Sequence, residues 1–235
     1  MNRNRLLILL ICICALFSFI SCEKTKKEIV TVSFNTQISS GNSMVKSSSN
    51  EILDIISQLT SIGSIALKNI ESGKEYIIST NETIELYEGY YDISYIDNST
   101  LIYDTFYSTP PLLFHNHRVY ISKEINVIDI QLYYDCYAIF IPIDGLKKVI
   151  YPGEFSNTHY LEVVNNYFVG FFSDGWTCLT LYHTDSDHKS FYLTTDGEDG
   201  SIQVEKGKYY IINTNFEDIE SIFDINLQEM VEGTI

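Results

Sequence analysis

From Ile29 the chain alternates. Val30, Val32 and Phe34 are apolar while Thr31, Ser33 and Asn35 are polar, the period of two expected of a strand with one buried face. Between Ser48 and Leu59 the period lengthens: Ile52, Leu53, Ile55, Ile56 and Leu59 fall on one helical stripe, Ser48 and Glu51 have capping-box spacing, and Gly63 closes the segment. This predicts one short N-terminal helix whose apolar face packs on a sheet.

From Ser64 onward the period of two returns. Ile65–Leu67, Tyr76–Ile78, Ile84–Leu86 and Tyr90–Ile96 are short runs rich in β-branched and aromatic residues, separated by turn signals at Glu71-Ser72-Gly73-Lys74, Glu88-Gly89 and Asp97-Asn98. The pattern continues at Val119–Ile121, Ile125–Tyr134, Cys136–Ile143, Tyr167–Phe172, Thr177–Tyr182, Ser190–Thr194 and Lys208–Ile212. Ile222 to Leu227 alternates once more, which predicts a last strand covering a sheet edge within its own chain. Strands at this spacing, with no helical periods between them, predict antiparallel sandwiches and disfavour a parallel dinucleotide-binding sheet.

The first two dozen residues follow a different pattern. Arg3 and Arg5 precede an apolar run from Leu6 to Phe19, and Ser21 and Cys22 follow before the polar Glu23-Lys24-Thr25-Lys26-Lys27. The run falls short of the roughly 20 apolar residues that a spanning helix needs, so it reads as a cleaved signal peptide. Phe19-Ile20-Ser21-Cys22 is similar to a lipobox, although Phe19 stands where leucine is usual. Cys22 is accordingly expected to receive lipid and become the new N-terminus; the alternative is an ordinary signal or short anchor ending in an unmodified cysteine. Removing residues 1–21 takes away two of the 15 basic residues and none of the 31 acidic ones, which leaves a net charge of −18. Such a body repels phosphate backbones and anionic lipid, so no nucleic-acid partner is expected and attachment falls to the lipid. The membrane is expected to be the cell outer membrane, on its surface or periplasmic face.

Two cysteines remain in the body, Cys136 and Cys178, both in apolar or aromatic runs. A disulfide and two buried thiols are both compatible with that setting. A nucleophilic cysteine would need a histidine neighbour that the sequence does not place.

Ser64–Leu67 through Gly73-Lys74, then Ile84-Glu85-Leu86-Tyr87-Glu88-Gly89-Tyr90-Tyr91-Asp92-Ile93, resembles the strand, turn, strand unit of fimbrillin-like surface lipoproteins of the Bacteroidales. Tyr133–Phe140 and Glu205–Tyr210 are similar to segments of uncharacterised cell-envelope lipoproteins of those bacteria. The resemblance implies an all-β fold of two transthyretin-like or Ig-like antiparallel sandwich modules with the short N-terminal helix. It divides the chain into a signal peptide (1–21), a lipidated tether with first strand and helix (22–62), an N-terminal module (63–135) and a C-terminal module (136–235). Relatives of this kind include fimbrial subunits that polymerise by strand donation, but no obvious N-terminal segment cut after a basic site is found here.

Candidate chemistry is sparse. His115 and His117, at i and i+2 of a strand, would share a face and could share a metal, but Pro110–His117 reads as a loop entering a strand and no further ligand has diagnostic spacing. His183–His188 and Asp196–Gly200 cluster oxygen ligands without the full spacing of a calcium loop, and Asp and Gly are ordinary turn formers. Neither a metal nor another cofactor is therefore expected. No nucleophile elbow, phosphate loop or zinc-protease helix motif occurs, and paired carboxylates for glycoside hydrolysis are unreadable among so many acids.

The 18 tyrosines read mostly as half-buried strand residues. Trp176, in Asp174-Gly175-Trp176, is the best candidate for an exposed ligand contact, to a glycan or a protein. These readings favour a non-catalytic cell-envelope lipoprotein that binds or adheres at the surface. The alternative is a fimbrial assembly subunit or anchor using strand exchange, and a glycan-acting hydrolase comes third.

Overall fold

The computed structural model describes residues 27–38, 48–80, 82–152, 158–173, 175–184, 187–197, 201–213 and 233–234. The signal segment, Cys22 and the strand expected at Ile222–Leu227 lie outside the described residues. In chain order the elements begin with β1 (Ile29–Ile38), α1 (Ser48–Leu59), β2 (Ser64–Asn69), β3 (Glu75–Ser79), β4 (Thr83–Tyr87) and β5 (Gly89–Ile96). Short strands β6 (Leu101–Tyr103), β7 (Phe106–Tyr107) and β8 (Leu112–Phe114) lead to β9 (His117–Ile121), β10 (Val127–Tyr134) and β11 (Tyr137–Pro142). The remainder are β12 (Lys148–Pro152), β13 (Thr158–Tyr160), β14 (Glu162–Val164), β15 (Tyr167–Phe172), β16 (Trp176–Tyr182), β17 (His188–Thr194), β18 (Ile202–Gln203), β19 (Lys208–Ile211) and β20 (Gly233–Thr234).

The chain is all-β apart from α1, and its four sheets pack in pairs. In the first sandwich, sheet β4-β1-β10-β8 and sheet β3-β2-β5-β9 close on one core. Val30, Val32 and Phe34 point into it from β1, Ile65 and Leu67 from β2, and Ile128, Ile130 and Leu132 from β10. The alternation in sequence is thus realised as one buried and one solvated face. Two glycines shape the frame: Gly89 opens β5 at φ 150°, and a Cβ on Gly63 would lie only 1.9 Å from the Ile96 carbonyl oxygen. The Gly63 amide instead donates to the Tyr95 hydroxyl at 2.6 Å.

The second sandwich pairs the seven-stranded sheet β20-β19-β11-β15-β7-β6, with β14 beside β15, against sheet β13-β12-β16-β17-β18. Here β11 and β15 are buried without alternation, because both faces of their sheet are covered. Tyr137, Ile139 and Ile141 enter the core between the sheets, whereas Ala138 and Phe140 face α1 through Ile52, Ile55 and Ile56. The helix caps the outside of the second sandwich as an amphipathic lid. Beyond its last turn, Thr60 donates to the Ile56 carbonyl at 2.7 Å and meets the Tyr134 hydroxyl at 3.1 Å.

Most pairings are antiparallel, as expected, but β1–β10, β11–β19 and β17–β18 run parallel. A second departure is the β6–β7 hairpin, which leaves the strands around it and pairs with β15 of the second sandwich. Both described ends of the chain lie in its own sheets: β1 is paired with β4 on one side and β10 on the other, and β20 adds to the edge of β19.

Candidate functional site

Strand alternation in the sheet β13-β12-β16-β17-β18 sends Leu179, Leu181, Phe191 and Leu193 into the core and leaves the intervening residues on the outer face. The register sets Trp176 opposite Thr194, Cys178 opposite Tyr192, Thr180 opposite Ser190 and Tyr182 opposite His188. Lys148 and Ile150 extend the last two rows from β12, and Tyr160 lies beside Ile150 on the edge strand β13.

Aromatic rings stand at both ends of this face. Trp176 and Tyr192 are 47% and 40% exposed, with ring centroids 5.0 Å apart. At the other end His188 stacks on Tyr182 at 5.1 Å, and the Lys148 ammonium sits 4.4 Å from the centre of the same Tyr182 ring. Between them the Thr180 and Ser190 hydroxyls share a 2.8 Å hydrogen bond. None of these outward strand positions carries a carboxylate, although the protein has 31 of them.

The outer face of sheet β3-β2-β5-β9 is built differently. It also holds an exposed aromatic pair, Tyr90 and Tyr120, at 4.9 Å, but Lys68–Glu75 and Arg118–Asp92 ion pairs run across it. The Arg118 guanidinium holds the Asp92 carboxyl below its ordinary range, and Lys68 does the same for Glu75. This is a solvated, charge-paired surface.

The other residues singled out in the sequence do not converge. His115 packs against Tyr133 at 5.5 Å and His117 against Phe114 at 5.3 Å, so each ring has its own aromatic neighbour. The segment after β16 closes on itself: the His183 amide donates to the Asp187 carbonyl at 3.1 Å, and the Asp187 amide donates to the Thr184 hydroxyl at 3.1 Å. The Asp196 amide donates to the Thr194 hydroxyl at 3.0 Å, a turn by side-chain capture. Among the described residues no three His, Cys, Asp or Glu side chains gather closely enough to hold a metal ion. Adding calcium or zinc is expected to leave the thermal midpoint unchanged; a rise that grows with ion concentration would reveal a site.

Cys136 and Cys178 are free thiols. Cys136 lies under α1, while Cys178 lies on the outer face of the opposite sheet. Burial pushes both thiols above the usual cysteine range, most strongly Cys136, which withholds the thiolate that a nucleophile needs. With a maleimide the native protein is expected to react slowly at Cys178 and not at Cys136, and at both once unfolded in denaturant. Mass spectrometry showing native Cys136 labelling would contradict this packing.

Trp176 occupies an exposed position, while its ring neighbour Tyr192 and, at the far end of the face, Tyr182, Lys148 and Tyr160 were not singled out, and His188 was read only as part of the His183–His188 cluster. Alternation within 176–182 and 188–194 marks residues sharing a face on each strand. Only the register shows that the two faces form one surface.

No protein-family model and no curated protein matches the chain. Solved structures do. The C-terminally truncated tip fimbrial protein Mfa3 from Porphyromonas gingivalis aligns over 82% of this chain and 96% of its own, at 8% identity and a TM-score of 0.43. A candidate cell adhesion protein from Bacteroides thetaiotaomicron covers 83% of this chain and 96% of its own, at 8% identity and a TM-score of 0.44. A candidate adhesin from Bacteroides ovatus shares 13% identity over 76% of this chain and 93% of its own, with a TM-score of 0.33. These three are a fimbrial protein and candidate adhesion proteins of the Bacteroidales, and a pilus adhesin from Lactobacillus rhamnosus is also similar; at these identities and TM-scores the likeness carries no argument about what this chain does.

Proposed function

We propose that the chain is a non-catalytic cell-envelope lipoprotein, held to the outer membrane by lipid on Cys22, whose body binds or adheres through the outer face of sheet β13-β12-β16-β17-β18. The observation that carries this reading is the exposed Trp176–Tyr192 pair on a sheet face whose outward strand positions hold no carboxylate, in a strongly acidic protein. Exposed aromatic anchors supply contact area at low entropic cost, which is what a binding surface needs. Adhesion, the role named for similar solved structures, is here assigned to a specific face of this chain. The division into modules at 63–135 and 136–235 belongs to the same proposal, with residues 101–107 lent by the first to a sheet of the second.

The alternative, assembly by strand exchange, requires a strand that leaves its own fold. β1 supports the self-contained reading, since it is paired on both sides and buries Val30, Val32 and Phe34.

The test uses the mature chain 22–235 with Cys22→Ser, applied to immobilised glycans and extracellular proteins. Saturable binding to at least one of them, lost in Trp176→Ala, is the expected result. Binding to none, or binding that ignores Trp176, would overturn the reading.

A further inference from the structure

We infer that the ligand of this face is a neutral polysaccharide, bound along the chain and not by its end; the inference rests on the reading of the face as the binding surface. Charge selects the class. The mature body carries a net charge of −18 and repels polyanions at a distance. At close range the one ammonium at the outward strand positions, Lys148, stands with His188 at the Tyr182 end, so most of the face offers a polyanion nothing to offset that repulsion. A basic peptide or protein patch fares no better, since the outward strand positions hold no carboxylate to meet it. A face with one ammonium and no carboxylate at its outward strand positions, in a strongly acidic protein, suits an uncharged partner.

The groups present fit a sugar chain. A pyranose offers an apolar C–H face and a rim of hydroxyls, and the surface offers rings beside a hydroxyl: Trp176 and Tyr192 at one end, then the half-buried Ser190, whose hydroxyl is hydrogen-bonded to that of the buried Thr180. From Trp176 to Tyr182 the strand advances about 20 Å, more than one sugar ring requires. A face of that length accepts the middle of a chain as readily as its end.

Trp176 is the protein's only tryptophan, so its emission reports on this face alone. The mature chain with Cys22→Ser is titrated with the neutral polysaccharides dextran, α-mannan, β-glucan and galactan, and with the anionic polygalacturonate and hyaluronate. At least one neutral polysaccharide is expected to shift the emission saturably, with an affinity that changes less than about twofold between roughly 0.05 and 0.5 M salt. Tyr192→Ala is expected to weaken that binding about tenfold or more without changing the thermal midpoint, whereas Ile77→Ala on the first sandwich leaves it intact. Emission moved only by the anionic polysaccharides, or by none, overturns the inference. If the chain instead binds a protein or an anionic glycan and loses it in Trp176→Ala, the binding face stands and only its ligand class is wrong. Retention on the immobilised polysaccharide that is indifferent to both Trp176→Ala and Tyr192→Ala removes the face and the inference together.

Discussion

Phe172→Ala is expected to lower the stability of the body by about 3–5 kcal/mol, a large share of the roughly 5–15 kcal/mol that a folded domain typically holds. Phe172 is fully buried at the centre of the second sandwich. Its ring stacks on Phe106 at 5.2 Å and on Tyr137 at 5.7 Å, and lies 5.9 Å from Tyr151. It therefore ties β15 to the β6–β7 hairpin, to β11 and to the facing strand β12. The chain has made room for the ring: a Cβ on Gly170, two residues earlier on the same face of β15, would come within 2.8 Å of it. Truncation leaves a cavity that three other aromatic side chains can fill only by leaving their rotamers. Urea unfolding followed by Trp176 emission measures the loss, with Ile77→Ala, 68% exposed, as a control expected to stay within about 0.5 kcal/mol. A loss below about 1 kcal/mol for Phe172→Ala would mean that the sheets do not meet as described.

Much of this frame is legible in the sequence. The alternation of Val30, Val32 and Phe34 locates a half-buried strand, and the unbroken apolar run Tyr137–Ile141 has the character of a strand covered on both faces. The stripe Ile52, Ile55 and Ile56 marks the helix and its buried side. What periodicity does not carry is partnership between strands distant in the chain. Nothing in Leu101–Tyr107 announces that it will pair with β15, and nothing in β1 announces a parallel neighbour nearly a hundred residues on. The candidate site suffered from the same gap: Trp176 could be singled out by its type and its turn, but Tyr192 becomes its neighbour only through the β16–β17 register. His115 and His117 illustrate the converse, since spacing that permits a shared metal does not stop each ring from packing on a different aromatic residue.

Replacing Cys22, the proposed lipid anchor, should have an all-or-none effect. Cys22→Ala, exported behind a signal whose cleavage does not depend on Cys22, is expected to move from the membrane fraction to the soluble fraction. Among the described residues no helix is long and apolar enough to cross a membrane, and the acidic body gains nothing from anionic lipid. Each buried methylene of an acyl chain contributes about 0.8 kcal/mol, so the proposed acylation at Cys22 would hold firmly what the body alone cannot. The wild-type protein should stay with membranes through a high-salt wash. If Cys22→Ala sediments equally well after that wash, the lipid is not the anchor.

The most direct measurement is adherence of intact cells displaying either the wild-type protein or the Trp176→Ala, Tyr192→Ala double variant, at matched surface amounts, to the immobilised compound that the lipid-free chain binds. Both side chains are exposed, so the double variant should fold and melt as the wild type does. Adherence is expected to fall to the level of cells lacking the protein. Undiminished adherence by the double variant would contradict the assignment of binding to this face.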